Sequence, residues 1–97
     1  MVTVTTRAKE ALARIRASAN VSDPKVGLRL EKGSGGRFGL FPDHEKPGDH
    51  IVEHEGTKVL LIDDELTEAL TGARIDGKPT DRGLQLVIGK ALDESSG

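Results

Sequence analysis

Four consecutive apolar residues, Val59 to Ile62, constrain this chain more than any other segment. Side chains alternate between the two faces of a strand, so an unbroken apolar run means that both faces are covered. The segment Thr57 to Ile62 is therefore read as the central strand of a sheet. At 97 residues the chain has the length of one domain and can bury one core.

The flanking segments supply the rest of the sheet. Val2 and Val4 alternate with threonines as a short strand. Thr5 or Thr6 then caps a helix to about Ala19, whose stripe is Ala8, Leu12, Ile15 and Ala19. Arg7, Lys9, Arg14 and Arg16 fall off that stripe and are expected on a solvated face. Asn20 to Pro24 is turn chemistry. Val26, Leu28 and Leu30 alternate with Gly27, Arg29 and Glu31 as a half-buried strand. A glycine-rich break, Gly33-Ser34-Gly35-Gly36, separates it from a strand restarting at Phe38 and Leu40. Pro42 to Gly48 reads as a polar loop, and Ile51-Val52 as a strand reaching a turn at Glu55-Gly56. Asp63 or Asp64 caps a short helix through Leu70, which Gly72 can end. Ala73 to Ile75 is a short strand, Asp76-Gly77 a hairpin-type turn, and Leu84, Leu86 and Ile88 mark the last strand. The fold class is α+β, mostly β, with an N-terminal helix.

Composition removes several functions. With no cysteine there is no disulfide framework, thiolate site or cysteine nucleophile. Two phenylalanines and no tyrosine or tryptophan argue against a base-stacking nucleic-acid surface. No apolar run approaches the roughly 20 residues that span a bilayer, and Met1 to Arg7 lacks the apolar block of a secretory signal, so a cytoplasmic protein is expected. Residues 1–37 carry eight basic and three acidic side chains, and residues 38–97 carry six basic and thirteen acidic ones. The split suits two halves that attract each other within the fold or across a dimer, or a basic partner-binding face.

Three motifs invite chemistry. The loop Gly33 to Gly36 joins two strands and opens no helix, unlike a phosphate cradle. Gly72 to Lys78 matches seven positions of a phosphate-binding loop, but the eighth is Pro79, which offers neither hydroxyl nor N–H. His44, His50 and His54 lie among Asp43, Glu45, Asp49 and Glu53, a donor set that suits zinc or ferrous iron if geometry permits. No nucleophile, base and acid stand in a catalytic arrangement, and no catalytic residue is assigned.

The order of these strings resembles the HesB-like family of A-type iron–sulfur cluster carriers (IscA-like proteins) over nearly the whole chain. The strings are Val2-Thr3-Val4-Thr5 before a helix, Gly27-Leu28-Arg29-Leu30, and Ser34-Gly35-Gly36-Arg37-Phe38-Gly39-Leu40. Gly48-Asp49, Glu55 to Val59, Asp63 to Gly72, Ile75-Asp76 and Gly83-Leu84-Gln85-Leu86 follow in the expected order. The resemblance implies two packed sheets of short strands with an N-terminal helix over residues 1–89, and residues 90–97, which show no periodicity, are expected to be a flexible tail. It also implies a dimer or tetramer. Family members hold iron or a cluster through one cysteine in the glycine loop and two near the C-terminus. Here the loop position is Gly33, within Gly33, Ser34, Gly35, Gly36 and Arg37, and Ala91 to Gly97 holds no cysteine. Ile88-Gly89 stands where the family has Asn-Pro.

The expectation is thus a non-catalytic HesB-like protein without its own cluster ligands, cofactor or resident metal. It would act as an interaction or regulatory module with protein partners, possible components of iron–sulfur assembly, and as a homo-oligomer. Nucleic acid and membrane are not expected partners. The alternative is mononuclear iron or zinc binding through His44, His50 and His54. A third reading places a small anion at Arg37 beside the glycine loop.

Overall fold

The computed structural model describes residues 2–36, 38–81 and 83–90. Strand β1 (Thr3–Val4) leads into helix α1 (Thr6–Ser18), then β2 (Val26–Lys32), β3 (Phe38–His44), β4 (His50–His54) and β5 (Thr57–Ile62). Helix α2 (Asp64–Ala69) precedes β6 (Ala73–Thr80) and β7 (Gly83–Lys90). The strands form a three-stranded sheet, β1-β6-β7, and a four-stranded sheet, β3-β2-β5-β4. This is the expected α+β architecture of two sheets and an N-terminal helix.

Strand β5 lies inside the four-stranded sheet, and Val59, Leu60, Leu61 and Ile62 are all essentially inaccessible. Its parallel neighbour β2 joins two antiparallel hairpins, β2–β3 and β4–β5. Leu28 pairs with Leu60, so Leu28, Leu30, Leu60 and Ile62 share the inner face and enter one core with Leu12, Val52 and Ile75. Each fully buried leucine or isoleucine contributes about 1.5–3 kcal/mol against leaving it in water. Strand β2 is buried on both faces from Gly27 to Leu30, where alternation predicts a half-buried strand. Its outer face carries Gly27 and Arg29, whose burial the polar letters conceal.

Helix α1 begins as the sequence indicates. The Thr5 hydroxyl accepts the Ala8 N–H at 3.1 Å and donates to Asp76 Oδ1 at 2.6 Å, so one side chain caps the helix and ties it to β6. Ala8, Ala11 and Leu12 are fully buried, and the helix packs on β6 while reaching β2, β4, β5 and β7. Arg16 is a correction to the expected solvated face: it is only 9% exposed. Its guanidinium donates to the carbonyls of Val21, Val26 and Asp23, pinning the turn between α1 and β2.

Two turn readings also fail. Strand β3 continues through Pro42 to His44, because an edge strand leaves one side of its ladder unpaired and so tolerates a missing N–H. Asp76-Gly77 lies mid-strand in β6, and the chain reverses instead between Thr80 and Gly83, which face each other in the register. A Cβ at Gly77 would lie 2.6 Å from the Arg7 carbonyl oxygen, so this glycine lets the helix backbone approach the strand. The string Gly72 to Lys78 is therefore largely strand and forms no phosphate loop. Strand β7 reaches Lys90, and residues 91–97 lie outside the described residues.

Candidate functional site

The glycine segment forms a single 3-10 turn, Ser34–Gly36, between β2 and β3. Gly35 has φ +70°, a left-handed conformation that costs glycine little, and a Cβ there would meet only open space. Gly33, Ser34 and Gly35 are exposed. Arg37 lies outside the described residues, so the anion contact assigned to it does too. Ser34 provides the one side-chain oxygen from Gly33 to Gly36, and at neutral pH a serine hydroxyl is a hard, poor ligand for iron.

Two cavities are lined in part by the strands that flank this turn. A groove of about 340 Å³ lies between the end of β2 and α2, lined by Leu30, Glu31, Lys32, Glu65 and Leu66 among others. An apolar cleft of about 240 Å³ lies between the sheets and is lined by Leu30, Phe38, Leu40, Leu86 and Ile88. Leu30 forms part of both walls.

The strongest electrostatic feature lies on the outer face of the four-stranded sheet. The connection from β3 to β4 must pass from one edge of that sheet to the other, about 14 Å at three strand spacings of roughly 4.8 Å. Arg29, on the crossed strand β2, holds both ends of the connection. Its Nε donates to Asp43 Oδ2 at 2.6 Å, and Nη1 and Nη2 donate to the two Asp49 oxygens at 3.0 and 2.7 Å. Nη2 also donates to the His44 carbonyl at 3.1 Å. Arg29 is 7% exposed, and the Asp49 side chain only 1%. The bidentate fork fits a carboxylate well, and Asp49 also accepts the Lys46 N–H at 2.7 Å. Hydrogen bonding from Arg29 holds both aspartates below the usual carboxylate range, and hydrogen bonding to Asp49 raises Arg29. Lys58 Nζ meets Glu45 Oε1 at 3.0 Å and adds a tie in the same connection.

This network removes the acids that would have joined the histidines. His44 lies on β3 and His50 and His54 on β4, at opposite edges of the sheet. Asp43 and Asp49 are committed to Arg29. Among the described residues no three His, Cys, Asp or Glu side chains form a group that could hold a metal ion. The mononuclear centre suggested by the spacing is therefore not assembled. The sequence pattern missed the Arg29 network, whose signal was an arginine between Leu28 and Leu30 with carboxylates on either side of a short connection.

The class of fold follows from the two sheets, their strand order and the capped N-terminal helix: it is HesB-like. The chain is similar to a crystal structure of IscA with a 2Fe-2S cluster, with a TM-score of 0.60, 20% identity, and coverage of 94% of this chain and 86% of that one. It is similar to Escherichia coli SufA, involved in biosynthesis of iron–sulfur clusters, with a TM-score of 0.59, 19% identity and coverage of 96% and 82%. A solution structure of a protein from Aquifex aeolicus gives a TM-score of 0.54 at 24% identity, covering 90% and 88%. In sequence, a curated Aquifex aeolicus (strain VF5) protein is 32% identical over 76 residues, 75% of this chain. The chain spans 65% of the length of that relative. No family model matches the chain. Among the described residues no helix is long and apolar enough to cross a membrane.

Proposed function

We propose that this chain is a non-catalytic HesB-like protein, related to iron–sulfur assembly carriers, that cannot ligate a cluster through thiols of its own. It acts in the cytoplasm as an interaction or regulatory module toward protein partners, components of iron–sulfur assembly among them, and associates with itself. The observation that carries this reading is a fold shared with IscA and SufA in a chain without cysteine. Clusters are held by thiolates with occasional imidazole replacement, and the ligand-loop position is Gly33, which has no donor. The histidines supply no substitute, because the sheet order keeps His44 away from the strand of His50 and His54. The residues present do not fit a cluster, and function on a shared fold follows the site and not the architecture.

The test is anaerobic reconstitution with ferrous iron and sulfide, followed by desalting and visible absorbance. The expected result is no retained chromophore above a cysteine-free control protein. A stable cluster at stoichiometric occupancy overturns the reading. Sedimentation velocity with cluster-loaded SufA, which shares the fold, tests the interaction half: co-sedimentation supports it, and independent sedimentation with each assembly component tried counts against it.

A further inference from the structure

We propose that Asp76-Gly77 is a latent self-modification site, kept closed in the folded chain by the Thr5 hydroxyl and opened when β1 and the start of α1 leave β6. It is the one Asp-Gly step in the sequence. In such a step the glycine amide nitrogen can attack the aspartate side-chain carboxyl carbon, since glycine has no Cβ to crowd the approach. A bond forms from Gly77 N to Asp76 Cγ and closes a five-membered succinimide. The Cγ–O bond breaks, and its oxygen leaves as water with the amide proton. One water then adds back. Addition at the side-chain carbonyl restores aspartate, and addition at the main-chain carbonyl leaves isoaspartate, with the backbone routed through the former side chain.

The end of β1 sets up the site. The Ile75 carbonyl accepts the Thr5 N–H at 2.9 Å, so the backbone groups of Ile75, and two residues on those of Gly77, point toward β1. The next acceptor on that side is the Thr5 carbonyl, but it already takes the Lys9 N–H at 3.0 Å in the first turn of α1. The Gly77 N–H turns instead to its neighbour, Asp76 Oδ1, at 2.8 Å, and the Thr5 hydroxyl donates to the same oxygen at 2.6 Å. The nucleophile and its target are thus already in contact, and three features hold them unreactive. Hydrogen bonding from Thr5 holds the Asp76 carboxyl below the usual carboxylate range, and an anion is a poor electrophile. The N–H bond to that anion keeps the proton on the attacking nitrogen. Ring closure also needs Cβ, Cγ and Gly77 N in one plane, which an extended strand forbids, and Asp76 is held extended opposite Val87. Gly77 is buried against the Arg7 backbone, which leaves its peptide no room to turn.

The experiment incubates the full chain at neutral pH in heavy-oxygen water, folded and in guanidinium chloride. Each passage through the ring installs one heavy oxygen, and mass spectrometry of the peptide holding Asp76 counts it in aspartate and isoaspartate alike. The folded parent is expected to react at least about tenfold slower than the unfolded chain, because only locally opened molecules react. Thr5→Val keeps the shape of the side chain but removes the hydroxyl, and should raise the folded rate at least about threefold. Thr5→Ser keeps the hydroxyl and should stay at the parent rate. Ala8→Gly weakens the same helix without touching the hydroxyl, and should stay below Thr5→Val. Heavy oxygen absent even from the unfolded chain overturns the site. Equal rates in folded and unfolded parent overturn its closure by the fold. A Thr5→Val rate no higher than that of Ala8→Gly overturns the part given to the hydroxyl. If Thr5→Val does not fold by circular dichroism, Thr5→Asp decides the same point: aspartate still caps the helix but donates nothing to Asp76, and an unchanged rate overturns the hydroxyl's part.

Discussion

Replacing Arg29 with methionine tests whether the β3–β4 connection is held by charge. The substitution keeps the apolar stem and removes every guanidinium bond to Asp43, Asp49 and the His44 carbonyl. Asp43 remains 24% exposed in its side chain and recovers water. Asp49, at 1%, keeps only the Lys46 N–H among its hydrogen bonds and is left as a buried, uncompensated carboxylate. Breaking such a pair from one side costs about 3–5 kcal/mol, a large part of the roughly 5–15 kcal/mol that holds a domain together. The melting temperature should fall by at least about 12 °C, at roughly 4 °C or more per kcal/mol for a domain of this size. Urea titration must be followed by circular dichroism, since the chain has no tryptophan or tyrosine. The double variant Arg29→Met/Asp49→Leu should recover part of the loss, because the stranded charge is gone. A loss below about 1 kcal/mol in the single variant, or a double variant less stable than the single, would refute the assignment of the network as a buried pair.

Acid should act through the same residues. Asp43 and Asp49 have folded-state values depressed, chiefly by hydrogen bonding from Arg29, and Asp76 has one depressed chiefly by the Thr5 hydroxyl. Their stabilisation is therefore complete above the unfolded carboxylate value of about 4 and is lost as pH falls from there through the folded values. A pH series from 7 to 2 should show a shallower decline in Asp49→Asn than in the parent, and parallel curves would show that this carboxylate does not govern acid stability. Gly77→Ala should cost about 1–3 kcal/mol by overpacking, since the new methyl would meet the Arg7 carbonyl of the helix backbone at 2.6 Å as well as the Arg7 side chain. An unchanged denaturation midpoint would mean that α1 and β6 can separate at that crossing without cost.

The sequence pattern was most legible where the physics is local. Val59 to Ile62 marked the central strand because burial on both faces leaves no polar letter. Thr5 or Thr6 and Asp63 or Asp64 marked the two helix starts, because a cap is written within three residues of its partner, and the caps used are Thr5 and Asp63. Asp76-Gly77 read as a turn because that dipeptide is a strong short-range signal, while the residue that uses Asp76, Thr5, lies 71 positions away. Arg16 and Arg29 sat at positions read as polar, and charged side chains are almost never buried unless paired. The partners of Arg16 are backbone carbonyls, which no side-chain pattern displays. The histidines looked like one cluster because they are close in sequence, but β2 and β5 lie between the strands that carry them.

The two-residue strand β1 has a consequence for how the chain is made. Thr3 and Val4 pair in parallel with Arg74 and Ile75, and the Thr5 N–H donates to the Ile75 carbonyl at 2.9 Å. During synthesis the first strand emerges long before its partner, whereas both hairpins of the four-stranded sheet are complete by Ile62. Non-local pairing must absorb its loop-closure entropy before contacts repay it. The four-stranded sheet can therefore form before β1 finds its partner, and the three-stranded sheet closes last. An N-terminal fusion that hinders residues 2–5 would act at that closing step and leave the earlier hairpins intact.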